Sequence, residues 1–316
     1  MTKEGNLACN SLKLHCLACG CEQTEFWAEG QDREYKTIDD TFTFYHCLEC
    51  DALFIHPVPR ERLLEIYPSN YYSFTPTKKS LVHQVKNWLD GKIYRKIFKN
   101  LTGNNLKVLD VGGGEGWELT LIKEIDERVT FTQVVDIDTG AAELARKNGH
   151  QYFCGRIEDF GTADKFDLIL LLNLIEHVEN PYEVLKKIYN LLSQQGVILV
   201  KTPNYESWDA KIFRHLNWGG YHCPRHWVLF TKNSFEQVAE RAGLKIQQAI
   251  YTQGAPFWAS SVLFWLERHS LVSITREKPV VYHPLFLPLS AIFAVIDFVR
   301  GLFSKTSQMF FILERN

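Results

Sequence analysis

The sequence predicts an α/β protein: a mostly parallel sheet with helices on both faces, preceded by a small metal-binding module. Three observations carry that reading. From residue 106 onward, strand-like and helix-like segments alternate. The first of those strands runs straight into a glycine-rich loop, Gly112-Gly-Gly114-Glu-Gly116. Ahead of both stand two Cys-x-x-Cys pairs in a stretch poor in long periodic segments.

The chain has 316 residues and is 46% hydrophobic, enough for one large domain and a smaller companion. Its net charge of -2 provides no overall basic footprint and argues against a nucleic-acid partner. Residues 1–14 contain no apolar leader segment, so the expectation is a cytoplasmic chain whose eight cysteines stay reduced. The stretch nearest to a membrane span is 285–303, but Pro288, Asp297 and Arg300 argue against its crossing a bilayer.

Residues 80–100 read as a helix, with Leu81, Val85, Trp88, Leu89, Ile93 and Ile97 at helical spacing. After a turn at 102–105 the alternation begins. Strands are expected at 106–111, 131–135, 166–172, 197–201, 245–251 and 309–313. Helices are expected at 117–127, 141–148, 181–192 and 234–242. Gly149 is a normal stop behind one helix, and Pro181 opens another. The resulting division is 1–75, a zinc-binding module; 76–251, the main α/β domain; 252–304, an apolar helical insertion; and 305–316, the last strand of the sheet. Open sheets of this kind bind ligands at the carboxyl ends of their strands.

Cys16-Leu-Ala-Cys19 and Cys47-Leu-Glu-Cys50 have the spacing of two knuckles, each aiming two thiolates at one ion. Four soft ligands suit a closed, structural zinc site. Cys21 competes as a ligand of the first knuckle. Cys9, Cys154 and Cys223 read as ordinary small apolar residues.

The loop does not fit the dinucleotide pattern G-x-G-x-x-G, because Trp117 or Leu119 falls where the last glycine belongs. What fits is D-x-G-x-G-x-G, over Asp110, Gly112, Gly114 and Gly116. Asp136 ends the next strand. A third stretch runs from Phe166-Asp through Asn173-Leu-Ile-Glu176-His177 to Pro181, and a fourth ends at Pro203-Asn204. Together these resemble the class I methyltransferases that use S-adenosylmethionine. The resemblance implies a Rossmann-like, seven-stranded, mostly parallel sheet. It makes Asp136 the acid on the ribose hydroxyls, Ile137 the adenine platform, and Asn173 a further cofactor neighbour. Relatives often carry an acid for the adenine amine where Arg156 stands here, so that contact passes to the Ile157 backbone or to Glu158.

The front of the chain extends the likeness. His15-Cys-Leu-Ala-Cys-Gly, the second knuckle followed by Asp51-Ala-Leu-Phe, and Ile66-Tyr67 with Tyr71-Tyr72 are similar to a zinc-ribbon methyltransferase group acting on sugars, glycans and natural products.

Methyl transfer from a sulfonium needs alignment and exclusion of water, and a base only where the acceptor must lose a proton. His177, His222 and His226 are the candidate bases. The segment Arg225-His226-Trp-Val-Leu-Phe230-Thr resembles a stretch whose histidine is the proposed base in related sugar enzymes. Arg225 stands where those enzymes tend to have an acid, which argues against carbon methylation of a sugar.

The insertion is apolar at 256–265 and 285–303 and reads as a lid, a homodimer surface or a peripheral membrane contact at the inner face of the membrane. Lys78, Lys79, Lys86, Lys92, Arg95, Lys96 and Lys99 make the 78–99 segment basic, which suits an anionic surface. The expected activity is transfer of a methyl group to a small-molecule, glycan or lipid-linked acceptor. The rival readings are an RNA methyltransferase gripping its substrate with the zinc module, and a non-catalytic scaffold.

Overall fold

The computed structural model describes residues 14–68, 70–71 and 81–316, and only the backbone of 81–86. Cys9, Tyr72, Lys78 and Lys79 lie outside the described residues, as do the side chains of Leu81, Val85 and Lys86.

The front of the chain forms antiparallel strands β1 (Thr24–Gln31), β2 (Thr41–Cys47) and β3 (Leu53–His56). Alternation along β2 buries Phe42 and Phe44 on one face. The short helix α1 (Leu63–Ile66) follows, then α2 (Leu81–Asn100), which buries Tyr94, Ile97 and Phe98. Trp88 and Leu89, expected on the apolar stripe of that helix, are exposed instead; the Lys92 ammonium covers the Trp88 ring at 3.3 Å.

The main sheet is built from β4 (Leu106–Val111), α3 (Trp117–Ile125), β5 (Val129–Asp136), α4 (Ala141–Lys147), β6 (Gln151–Cys154), β7 (Phe166–Leu172), α5 (Pro181–Leu191) and β8 (Leu192–Pro203). After α6 (Trp208–Ile212) and β9 (Val228–Leu229) come α7 (Lys232–Arg241) and β10 (Leu244–Thr252). The helical pair α8 (Ala255–Arg268) and α9 (Phe286–Arg300) precedes β11 (Gln308–Arg315). The seven strands run in the order β10-β11-β8-β7-β4-β5-β6. Pairs among β4 to β8 are parallel; β11 is antiparallel to both β8 and β10. This is the Rossmann-like architecture that the sequence implied. β6 was not among the expected strands, because four residues, Gln-Tyr-Phe-Cys, carry too little periodicity.

Successive residues of the central strands feed two cores. Val108, Leu168, Leu170 and Leu199 pack with Tyr94 and Phe98 of α2 and Leu119 and Ile122 of α3. Leu109, Ile169, Leu171, Ile198 and Val200 pack with Val184, Leu185 and Ile188 of α5 and Phe235 and Val238 of α7. Burial on both faces explains why β7 reads Phe-Asp-Leu-Ile-Leu-Leu-Leu with hardly any alternation. The chain leaves β4 toward β5 and β6 on one side and returns to β7 and β8 on the other. The switch point therefore lies between β4 and β7.

The front sheet takes its fourth strand, β9, from far downstream. Its apolar face packs Ala28, Phe42, Phe44, Leu53 and Ile55 against Phe213, Trp218, Tyr221, Trp227 and Trp258. The front strands are thus joined to the segment between β8 and α7. In the insertion, α8 and α9 pack as a pair, with Trp258 and Phe293 stacked at 4.8 Å. Asp297 and Arg300, the charges that counted against a membrane span, are buried. Asp297 accepts from the Gly254 N–H at 2.9 Å, the Trp258 indole at 3.2 Å and Arg300 at 2.6 Å. No helix among the described residues is long and apolar enough to cross a membrane.

Candidate active site and thiolate cluster

At the end of β4 the backbone turns through Gly112, Gly114 and Gly116, with φ of 78°, 51° and 75°. Only glycine adopts these left-handed values without strain. A side chain on Gly113 would meet the Asp110 carboxyl at 2.5 Å, so that position too must stay bare. Above Gly114 a Cβ would touch nothing within 4 Å, so the loop is open to a ligand there. Asp136, at the end of β5, ties the loop down. Its Oδ2 accepts from the Gly114 N–H at 2.8 Å and its Oδ1 from the Asp138 N–H at 2.9 Å. Burial raises the Asp136 pKa against the opposing pull of those two bonds. Ile137, beside it, is 59% exposed, a shelf of apolar surface at the strand's carboxyl end.

These features fit S-adenosylmethionine. The residues form an open glycine cradle, a carboxylate at the next strand end and a bare apolar platform. Ile157 is buried in the core, which leaves only its backbone for a ligand, and Glu158 is exposed. Asn173 has a left-handed backbone, φ 53°, and its Oδ1 accepts from Gln308 Nε2 at 3.0 Å. It sits at the end of β7 beside Leu174, whose side chain lies over Gly112.

The three candidate histidines, from two separate loops, come together just beyond Leu174. Their ring centres are 4.7 Å apart for His177 and His226, 4.9 Å for His222 and His226, and 6.1 Å for His177 and His222. Hydrogen-bond partners assign the tautomers. His226 Nδ1 donates to the Gly220 carbonyl at 2.8 Å. His177 Nδ1 donates to the Arg225 carbonyl at 3.0 Å, with the Tyr67 hydroxyl also at 3.0 Å. Each ring is left with Nε2 as a lone pair. Burial, then neighbouring imidazoles, lowers His177 to about 3 and His226 well below the usual histidine value.

His222 differs. Its Nδ1 donates to the Glu34 carboxylate, and its Nε2 lies 2.9 Å from the Tyr71 hydroxyl. It is held in a left-handed conformation, φ 38°. A small, shallow cleft reaches Glu34 and His222 from the side of Gln31, Asn217 and Tyr221. A carboxylate, an imidazole and a hydroxyl in line are the parts of a general base.

Beneath the cluster, Glu176 is fully buried, and neither carboxylate oxygen has a hydrogen-bond partner. Burial pushes its pKa up to about 8. Arg225 is fully buried as well. It forks onto Asp32 at 3.1 and 2.9 Å and donates from Nε to the Ile66 carbonyl at 2.7 Å. The aromatic ring of Tyr35 faces its guanidinium at 4.7 Å. Arg225 is therefore a tie between the front module and the histidine loop.

Sequence reasoning missed Glu34, Asp32 and the roles of Tyr67, Tyr71 and Glu176. The front acids are separated from their partners by close to 190 positions, as His222 and Glu34 are by 188, and no local spacing signals such pairs. Glu176 alone left a trace, as the residue next to a candidate histidine.

The four knuckle cysteines converge. Cys16 and Cys50 sulfurs lie 3.7 Å apart, Cys19 and Cys47 sulfurs 3.5 Å, and all four within 4.8 Å of one another. Ligands at about 2.3 Å from a tetrahedral ion lie about 3.8 Å apart, close to the two shortest of these separations, so the set fits zinc. Cys21 stays out; its sulfur accepts from the Gln23 N–H at 3.3 Å. Cys223 is buried as expected, but Cys154, at the exposed end of β6, is not.

A doubly wound sheet with this glycine loop, strand-end acid and converging polar cluster defines a transferase of the S-adenosylmethionine-dependent class. The chain belongs to the family described as the methyltransferase domain, whose model matches residues 82–249, more than half of the chain. The mitochondrial ubiquinone biosynthesis O-methyltransferase of Candida albicans is 28% identical over 176 residues, covering 51% of this chain and 53% of that protein. The ubiquinone biosynthesis O-methyltransferase of Actinobacillus pleuropneumoniae serotype 5b is 30% identical over 142 residues, 41% of this chain and 53% of that one. The chain thus spans about half the length of the curated relatives it matches. A coclaurine N-methyltransferase structure with bound N-methylheliamine and SAH shares the fold at 15% identity, TM-score 0.50, with 82% of each chain covered.

Proposed function

We propose that the protein moves a methyl group from S-adenosylmethionine to a hydroxyl of a small-molecule acceptor, with His222 taking the proton. The convergence of His222, Glu34 and Tyr71 carries this reading. The two relatives described above are named O-methyltransferases, which supports an oxygen acceptor. When bound, S-adenosylmethionine supplies a methyl already activated on a sulfonium.

The chain's residues do the rest. Gly112, Gly114 and Gly116 would let the backbone approach the ligand, Asp136 would hold the ribose, and Ile137 would support the adenine. The acceptor oxygen forms the new bond to the methyl carbon as the carbon–sulfur bond breaks and its electron pair stays on sulfur. The acceptor's proton passes to the Tyr71 oxygen while the Tyr71 proton passes to His222 Nε2. Glu34 orients His222 and stabilises the imidazolium. Zinc on Cys16, Cys19, Cys47 and Cys50 is structural in this reading, holding the front sheet that supplies Glu34.

The test is release of S-adenosylhomocysteine during a screen of hydroxyl-bearing small molecules. For an acceptor that turns over, His222→Ala should lower kcat about 100- to 10,000-fold while the Kd for S-adenosylhomocysteine stays the same. Unchanged turnover in His222→Ala would remove it from the mechanism.

The outer face of α9 supports a peripheral lipid contact. Leu287, Val295 and Phe298 are exposed there, and Leu302 and Phe303 beyond it are 78% and 70% exposed. Sedimentation with anionic vesicles should pull the protein down and release it in high salt; a Phe298→Ser, Leu302→Ser double variant should stay in solution. Equal partitioning of both proteins would refute the contact.

A further inference from the structure

We propose that Glu176, His177 and His226 form a second metal site that binds a divalent first-row cation of the zinc type. Their ligand atoms all lie within 4.8 Å of one another, with His226 Nε2 4.0 Å from Glu176 Oε1. Ligand atoms around an ion at 2.0–2.2 Å sit about 3.0–3.6 Å apart, so binding requires the three side chains to close by about 1 Å.

Three features make this more than proximity. Both Glu176 oxygens are buried without a partner, a state that costs free energy unless something fills it. The two imidazoles each donate Nδ1–H to a backbone carbonyl, Gly220 for His226 and Arg225 for His177. That second bond is the one that fixes a metal-ligating histidine, and for His226 it leaves Nε2 facing Glu176 Oε1 at 4.0 Å. The donors are also chemically apt: two neutral imidazoles and a carboxylate are a ligand set of open, catalytic zinc sites, with coordination left for a further oxygen. The thiolate cluster differs on every count, being closed by four sulfurs and remote from the histidines in sequence.

That the cation takes the acceptor oxygen next to His222 rests on the transfer reading above; that it binds does not. A metal there would withdraw electrons from the acceptor hydroxyl and make its proton easier for His222 to remove.

The two sites can be told apart by cobalt. The full chain, stripped of metal and titrated with Co2+, should take up two equivalents. One carries thiolate-to-cobalt charge-transfer absorption in the near ultraviolet; the other shows only the weak visible bands of nitrogen and oxygen ligands. Glu176→Gln and His226→Gln should each weaken the second at least about 100-fold and leave the first. The surviving thiolate band certifies that the variant chain has folded; where either variant lacks it, His177→Gln, at a half-buried position, supplies the same comparison. A single equivalent in the wild-type chain, or a second that persists in the variants, overturns the proposal. Loss of transfer in His222→Ala alongside a single cobalt equivalent would uphold the base and reject the metal; two equivalents with normal turnover in His222→Ala would do the reverse.

Discussion

The cofactor loop and the histidine cluster are neighbours in space and opposites in construction. The loop is local: Asp110, Gly112, Gly114 and Gly116 lie within one strand–turn–helix unit, and Asp136 is one strand further on. Its shape follows from backbone rules, since the glycines alone tolerate the required φ. The cluster is assembled from Asp32 and Glu34 of the front module, Tyr67 and Tyr71 behind it, Glu176 and His177 after β7, and His222 to His226 before β9. No part of it holds its shape alone. The loop should therefore fail through ligand binding, and the cluster through loss of the contacts between the front sheet and the rest.

The largest expected effect is on that joint. Cys47→Ser should cost the chain one structural metal equivalent and release the front sheet, with the Glu34–His222 pair lost along with it. Metal-coupled folding of such modules is worth about 10 kcal/mol or more in isolated peptides. Metal content and limited proteolysis would report it; an intact, metal-replete front module in the variant would show that the cysteines do not hold the joint.

Next is the buried tie. Burial works to raise Asp32, but the Arg225 charge and the bonds from Thr37 and Tyr35 outweigh it and hold the carboxyl below its ordinary value. A folded-state pKa below the unfolded one contributes stability above the unfolded value of about 3.9, and that contribution is lost as pH falls through the folded one. Asp32→Asn leaves a buried guanidinium without its counter-charge and should cost about 3–5 kcal/mol in urea unfolding at neutral pH. The same variant should lose part of the acid dependence of stability below about pH 4. Equal acid sensitivity in both proteins would mean that other carboxylates set it.

The smallest effect belongs to the loop. Asp136→Ala removes an acceptor from the Gly114 and Asp138 N–H groups and the proposed ribose contact, yet disturbs no element of the sheet. It should weaken S-adenosylmethionine binding about 100-fold by calorimetry, as expected for losing charge-assisted hydrogen bonds worth about 1.5–3 kcal/mol. The thermal midpoint should move little. A large drop in stability with modest loss of affinity would reverse the contrast and make the loop structural.

Reading the chain in one dimension captures the first region and not the second, and the reason is range. Period, strand-end acids and Cys-x-x-Cys spacing act over a few residues, so the alternation from 106 onward, the glycine loop and the thiolate set were legible. The residues His177, His222 and His226 were legible as types in loops, but not as a cluster. The strands β1 to β3 went unread although Phe42 and Phe44 alternate, because the residues that bury that face, Phe213, Trp218, Tyr221, Trp227 and Trp258, lie far downstream. The exposed Trp88 shows the converse: an apolar residue at helical spacing marks the core only where a neighbour arrives to bury it.

The sequence by itself determined the class of fold, the glycine loop with its strand-end acid and the existence of a four-thiolate module, because each depends on residues close together along the chain. Tertiary structure alone decided that Arg225 faces Asp32 rather than a ligand, that His222 has a carboxylate behind it, and that Glu176 is left unpaired beside two imidazoles. Each outcome depends on which distant segment fills the space next to a buried group; for Arg225 and His222 the cost of leaving that group without a partner selects the arrangement, whereas Glu176 bears that cost.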